Sequence, residues 1–183
     1  MKTDSGEKAT TRSAVIRLSN AIALEPYSGD TDYLTNMGLA ARKKGAENSI
    51  AQSEIHQSFY AYTIAIDLDR VGIDEVNGEV ISVENSEKIK RLKNFLDTVM
   101  FLYRDIKGRR ENLSPVFVIG GIYERKNPFF ENRLQLFRGN LKIDIIKQVL
   151  ESDVSIKENT EIGYLSGTFR NDRDIIEQLK PVS

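Results

Sequence analysis

Positive charge is concentrated where an amphipathic stretch of the chain meets an apolar one. Between Ser86 and Arg110 there are eight basic and three acidic residues, a local net charge of +5. The last cations, Lys107, Arg109 and Arg110, come just before the apolar run "PVFVIGGIY". Arginine offers a planar fork of donors that fits phosphate oxygens two at a time. The pattern indicates an anion-binding site; the alternative is a solvated helix face whose cations favour a helix C-terminus.

A second basic group lies within a long insertion, at residues 27–55, that is punctuated by glycines. Its cations are Arg42, Lys43 and Lys44. Such a loop can wrap a polyanion and make phosphate contacts that weaken with salt. The competing interpretation is a solubilising surface loop.

Other residues give weaker signals. Asp67 and Asp69 lie two apart and could hold a cation, but two carboxylates without a third partner favour ordinary solvation. Tyr60 and Tyr62 could stack bases or belong to a core. His56 is the only histidine and there is no cysteine, so a paired-histidine or thiolate mechanism is excluded. The sequence therefore predicts no catalytic residue, cofactor or metal.

Composition sets the class of protein. The chain has 183 residues, of which 40% are hydrophobic and 29% charged, and its net charge is -1. These values predict residues 1–11 as a flexible lead-in and residues 12–183 as one domain. The absence of cysteine and of a long apolar run favours a soluble, cytoplasmic protein with no membrane partner.

Periodicity predicts the elements that would position the basic groups. Strands are expected at Ser13–Leu24, Ser58–Asp69, Pro115–Tyr123 and Thr160–Phe169, and the Pro115–Tyr123 strand is expected to be covered on both faces. Helices are expected at Ser86–Lys107, in the second half of Leu141–Ser152, and at Asn171–Leu179 with Asn171 as its cap. Gly108 is expected to end the long helix, Asn77-Gly78 to form a hairpin turn, and Gly120-Gly121 to allow a close backbone approach. Together these elements favour an α+β domain with an antiparallel sheet.

Several stretches, in order, resemble a known family. They are "RLSNAIALEPYSGDTDYLTN", "EIHQSFYAYTIAIDLDRVGID", "LYRDIKGRRENLSPVFVIGGIYERKNPFFENRL" and "EIGYLSGTF" followed by "ND". They are similar to the DevR-type backbone subunit of type I-B CRISPR effector complexes, known as Cascade, which belongs to the RAMP superfamily.

The resemblance implies an RRM-like, ferredoxin-like palm with inserted thumb and finger loops and no enzymatic activity. Copies of the subunit would line up along one CRISPR RNA, with other Cascade subunits, and target DNA would be read by pairing with the guide. Lys107, Arg109 and Arg110 would face RNA phosphates from a palm loop, and Arg42, Lys43 and Lys44 would reach over the guide. Arg17, Arg125 and Lys126 are further RNA-binding candidates implied by the resemblance.

One departure from the family concerns the start of the chain. Family members carry an N-terminal part that supplies the first strand and helix of the palm and ends in a phrase like "GYM". Because this chain starts at the corresponding Met1, we expect that first strand and helix to be missing, through an internal start, a split gene or a shortened chain. Two alternative functions stay open at this point: an RRM-like ribonuclease that processes CRISPR transcripts, and a DNA-binding autoregulator of its own operon.

Overall fold

The strands and helices were obtained from a computed structural model, which describes residues 12–35, 50–76, 79–106 and 108–182. The strands are β1 Ile16–Leu18, β2 Ile22–Ala23, β3 Asp30–Thr35, β4 Ile50–Ile55, β5 Tyr60–Ala61, β6 Ile64–Ile66, β7 Ile73–Val76, β8 Glu79–Ser82, β9 Tyr103–Ile106, β10 Arg109–Asn112, β11 Phe117–Gly121, β12 Leu136–Phe137, β13 Asn140–Leu141 and β14 Thr160–Tyr164. The helices are α1 Asn85–Met100, α2 Ile143–Glu151, α3 Val154–Glu158 and α4 Asp172–Leu179, with a 3-10 turn at Leu68–Arg70. The strands pair into small antiparallel ladders, so the structure is compatible with the predicted α+β class. The predicted lead-in, residues 1–11, lies outside the described residues.

The first predicted strand is divided, and so is its partner. β1 pairs with β6 and β2 pairs with β5. At the break, the Ser19 hydroxyl accepts a hydrogen bond from the Thr63 amide at 2.9 Å, and the Ser19 amide donates to the Thr63 carbonyl at 2.9 Å. A side chain that bonds backbone groups offers the chain an alternative to a regular ladder, which explains the interruption.

The insertion contains a β-ribbon in addition to its loop. β3 and β4 pair over six positions, from Asp30 opposite Ile55 to Thr35 opposite Ile50. We refer to these two strands as the stem. Arg42, Lys43 and Lys44 belong to the segment between them, which lies outside the described residues.

The long helix ends earlier than predicted. α1 begins at Asn85, within one residue of the prediction, but ends at Met100 and not at Lys107. The residues beyond it form β9, which pairs with β10. Gly108 has a φ of 74° and belongs to the turn between these strands, not to the helix end. The predicted hairpin of β7 and β8 is confirmed, although its Asn77-Gly78 turn lies outside the described residues.

The apolar core lies in the C-terminal part of the chain. Its buried residues are Phe130, Leu141, Ile143, Ile146, Ile156, Ile162, Phe169, Ile175 and Leu179. β11 pairs with β14 and presents Phe117 and Ile119 to this core. The prediction that this strand is covered on both faces is wrong, because Val118 on the opposite face is 52% exposed.

Two local predictions near the core have different outcomes. A side chain on Gly121 would collide with the Asn159 carbonyl, which confirms the close backbone approach. Asn171 precedes α4 as predicted, but its side chain does not cap the helix. Its amide group instead accepts from the Leu141 amide and donates to the Leu141 carbonyl, both at 2.9 Å, so it ties α4 to β13.

Within the ranges described, none of the helices has the length and apolar character needed to span a lipid bilayer.

Candidate nucleic-acid interface

Arg110 is held by the hairpin of β9 and β10. The register places it opposite Asp105, and its Nε and Nη2 donate to the two carboxylate oxygens at 2.8 and 2.9 Å. Its guanidinium also lies 4.6 Å from the ring centroid of Tyr103. The hydrogen bonds from Arg110 lower the pKa of the Asp105 carboxyl. The donor fork of Arg110 is therefore committed within the protein.

Arg109 differs from its neighbour. It lies opposite Ile106, is exposed, and forms no ion pair within the part of the chain that the structure describes. Since consecutive strand residues point to opposite faces, Arg109 and Arg110 cannot meet one ligand from the same face. The predicted loop location of both is therefore wrong. Lys107 lies outside the described residues.

A second group of cations surrounds one carboxylate. Arg17 Nη2 lies 2.7 Å from Asp67 Oδ2, Arg70 Nη1 lies 3.7 Å from the same oxygen, and Lys126 Nζ lies 3.9 Å from Asp67 Oδ1. Lys126 also donates to both oxygens of Asp69, at 2.8 and 2.7 Å. These five residues, with a net charge of +1, are called the junction cluster below.

The local fold explains how the junction cluster forms. Arg17 lies in β1 opposite Ala65 of β6, so its side chain reaches the residues that follow β6. Asp67 is fixed there because its amide donates to the Val15 carbonyl at 2.9 Å and its own carbonyl accepts from the Arg70 amide at 2.9 Å. Lys126 comes from the segment after β11.

Burial differs between the acid and the cations of this cluster. The Asp67 side chain is 8% exposed, whereas those of Arg17 and Lys126 are 55% and 54% exposed. A buried carboxylate requires charged partners, and here it orients several cations whose remaining donors reach solvent. The hydrogen bonds from Lys126 lower the pKa of the Asp69 carboxyl. The arrangement can bind an anion at its solvent side.

Sequence reasoning found only part of this group. It proposed Arg17 and Lys126 without placing them together, and it missed Arg70. The available signal was "DLDR", in which acids and a base follow a strand directly. Asp67 and Asp69 are paired with cations, and the described ranges contain no group of three or more metal-ligating side chains.

The remaining candidates lie apart from these contacts. Arg125 is exposed, and its charge helps lower the pKa of Asp153, after the hydrogen bonds from Ser155. Phe59 packs on the core, with its ring centroid 5.4 Å from that of Phe169, so it is not a stacking surface. Tyr62 lines an apolar cavity of about 340 Å³ between the β1–β6 ladder and α1.

His56 lies between two tyrosines. Its ring centroid is 5.0 Å from that of Tyr27 and 6.0 Å from that of Tyr60. Its Nδ1 is buried and has no hydrogen-bond partner in the structure. This is a packed aromatic setting, and Tyr60 itself is 48% exposed.

Comparison with known proteins identifies a family. The model of the CRISPR-associated negative auto-regulator DevR/Csa2 matches residues 1–135. The matched residues include the whole junction cluster and the β9–β10 hairpin, whereas the resembling stretch "EIGYLSGTF" lies beyond them. No curated protein and no solved structure matches the chain. On the family match, which covers most of the chain, this protein belongs to the CRISPR-associated DevR/Csa2 family.

Proposed function

We propose that this protein is a CRISPR RNA-binding backbone subunit of a Cascade-like, type I-B complex. The observation that carries the proposal is the junction cluster. Arg17, Arg70 and Lys126 come from three separate segments and converge on Asp67. Convergent cations with solvent-facing donors suit a phosphodiester, whose oxygens accept charge-assisted hydrogen bonds.

In this proposal the protein binds the guide by backbone charge, and base pairing reads the target DNA. The ladders around β1 and β6 would serve as the RRM-like palm, and the stem as the base of a thumb-like insertion. Arg109 would add a phosphate contact from β10, because it is exposed and lies opposite Ile106 rather than a carboxylate. Its partners would be CRISPR RNA, target DNA through the guide, other Cascade subunits and further copies of itself, without a catalytic step.

The test is the salt dependence of binding to a repeat-spacer RNA. We expect the variant Arg17→Gln, Arg70→Gln, Lys126→Gln to bind more weakly and to show a flatter dependence of log K on log salt, by about 0.7 for each phosphate that is no longer bound. A matched control removes three exposed C-terminal cations: Lys157→Gln, Arg173→Gln and Lys180→Gln. Equal slopes for the cluster variant and the control would contradict the proposal.

Two other activities are distinguished by separate assays. Cleavage of precursor RNA that disappears in His56→Ala would indicate the ribonuclease alternative, which the aromatic packing of His56 does not favour. A gel shift with the promoter of its own operon tests the autoregulation that the family description names. We expect neither cleavage nor a specific promoter shift.

A further inference from the structure

One face of the stem carries exposed aromatic side chains. Thr31 pairs with Glu54 and Tyr33 with Gln52, so Tyr33 and Glu54 lie on the same face. Tyr27 joins this face, because its hydroxyl donates to Glu54 Oε2 at 3.3 Å. Tyr27 and Tyr33 are 64% and 63% exposed. We call Tyr27, Tyr33 and Glu54 the stem face; it is an unpartnered sheet face with large apolar area.

The charge around the stem face is negative. The nearby acidic residues are Glu25, Asp30, Asp32 and Glu54. Between Arg17 and Arg70 the only basic residues are Arg42, Lys43 and Lys44, in the segment between the stem strands. Partial desolvation, followed by the Glu54 charge, raises the pKa of the Tyr27 phenol. Such a surface repels phosphates and suits a partner that is apolar and cationic, through carboxylate pairs and cation–π contacts.

A surface of that chemistry lies on α1 of the same chain. Ile89, Lys93, Leu96 and Met100 follow one another at steps of four, three and four, which places them along one line of a helix. Ile89, Leu96 and Met100 are 56%, 49% and 50% exposed, and Lys93 is exposed. We call these four residues the α1 flank.

The α1 flank is separate from the side of the helix that packs. Phe95 and Val99 face the apolar cavity that is also lined by Leu18 and Tyr62. No residue of α1 is fully buried. Regularly spaced apolar residues on an exposed helix line are typical of an interaction surface and not of isolated surface positions.

We propose that the stem face of one copy of this chain packs against the α1 flank of a second copy. Glu54 and the tyrosines would receive Lys93 and its apolar neighbours. Two stem faces would bring carboxylates together and two α1 flanks would bring lysines together, so the contact is between unlike surfaces. A contact of that type leaves one surface free at each end and therefore extends into a line of copies. The inference rests on the proposed alignment of copies along one RNA and assigns the surfaces that would join them.

Sedimentation velocity over a range of protein concentrations, without RNA, tests this contact. One variant disables the stem face, Tyr33→Ser with Glu54→Gln, and the other disables the α1 flank, Lys93→Gln with Leu96→Ser. The wild type should form species larger than dimers, and each variant alone should stay monomeric. An equimolar mixture of the two variants should form dimers and nothing larger, because it contains one intact pair of surfaces.

A control variant, Ile122→Ser with Glu161→Gln, removes an exposed apolar and an exposed acidic residue elsewhere and should associate like the wild type. Circular dichroism of each variant checks that it is folded. A monomeric wild type at all concentrations, or association of the stem variant equal to that of the wild type, would overturn the inference. So would a crosslink of Tyr33 to RNA in the complex. RNA binding by the same variants is measured separately, so a failure of copies to associate and a failure of the proposed RNA binding are distinguishable.

Discussion

The two parts of this chain are stabilised differently. All nine buried apolar residues of the described structure lie between Phe130 and Leu179. Within the described part of residues 12–112, Asp67 is the one buried side chain, and it is charged. Every ion pair found in the described ranges involves residues from Arg12 to Lys126, and none lies wholly within the C-terminal core.

This contrast separates scaffold from binding surface. Burial of apolar area dominates folding free energy, whereas exposed ion pairs add little. Two-stranded ladders are marginal alone, so the N-terminal ladders depend on contacts such as that of Phe59 with the core. Segments that bind ligands are commonly drawn from the less stable part of a structure. The charged N-terminal part is accordingly where we place RNA and a second copy.

The strongest test of the contrast removes a core side chain. Ile146 and Ile175 are 0% exposed, so Ile146→Ala or Ile175→Ala should lower the free energy of unfolding by about 2–5 kcal/mol. Val80 in β8 is 71% exposed, and Val80→Ala should change it by less than about 0.5 kcal/mol. Urea denaturation followed by circular dichroism gives both values. Equal losses in the two parts would contradict the comparison.

The next effect concerns the junction cluster, which links the two parts through Lys126. Asp67→Asn keeps the side-chain size but removes the charge that holds Arg17, so it should cost about 1.5–3 kcal/mol. Hydrogen exchange should accelerate in β1 and β6, while α2 and α4 stay protected. Asp144→Asn is a matched control, because Asp144 is exposed in the first turn of α2. Identical exchange of β1 in the two variants would show that Asp67 is not holding the cluster.

A smaller effect depends on pH. The pKa values of Asp69 and Asp105 are lowered by Lys126 and Arg110, so these ion pairs contribute stability above the ordinary pKa of aspartate. That contribution is lost as pH falls through the lowered values. Proteolytic cleavage within β9 and β10 by an acid-active protease should therefore increase on acidification. The variant Asp105→Asn with Arg110→Gln should already be cleaved readily at higher pH; a hairpin equally resistant in both proteins would argue against the pair.

The smallest effect on stability, and a clear one on binding, is expected at Arg109. Arg109→Gln removes no ion pair of the described structure, so stability should change by less than about 0.5 kcal/mol. RNA binding should nevertheless weaken, with a log–log salt slope flatter by about 0.7. Arg110→Gln should do the reverse, loosening the hairpin while leaving the slope unchanged. A greater loss of RNA affinity in Arg110→Gln would reverse our assignment of the two residues.

Local patterns predicted the elements better than their limits. The start of α1, the β7–β8 hairpin, the helix in the second half of Leu141–Ser152 and the start of α4 agree with the sequence predictions. The end of α1 does not, because Tyr103 and Ile106 are three apart and fit a helical stripe as well as they fit β9. Pairing of Arg104 with Glu111 at 2.6 Å and of Arg110 with Asp105 stabilises the hairpin, and those pairs exist only once the strands are aligned.

The candidate site was less predictable than the elements. A sequence reveals runs of like charge such as Arg109-Arg110, but the register of β10 separates these two side chains onto opposite faces. The junction cluster depends on tertiary contacts between β1, the turn after β6 and the segment after β11. No local periodicity encodes the distance between Arg17 and Lys126, so only their type could be anticipated.

Hydrogen exchange of the protein with and without its guide RNA tests the central claim most directly. We predict that RNA slows exchange in β1, in the Leu68–Arg70 turn and around Lys126, and leaves the described stem strands β3 and β4 unprotected by RNA itself. To separate RNA contact from contact between copies, the measurement uses the stem variant, which should bind RNA without associating. Protection of the stem strands, or unchanged exchange around the junction cluster in the presence of saturating RNA, would contradict the account.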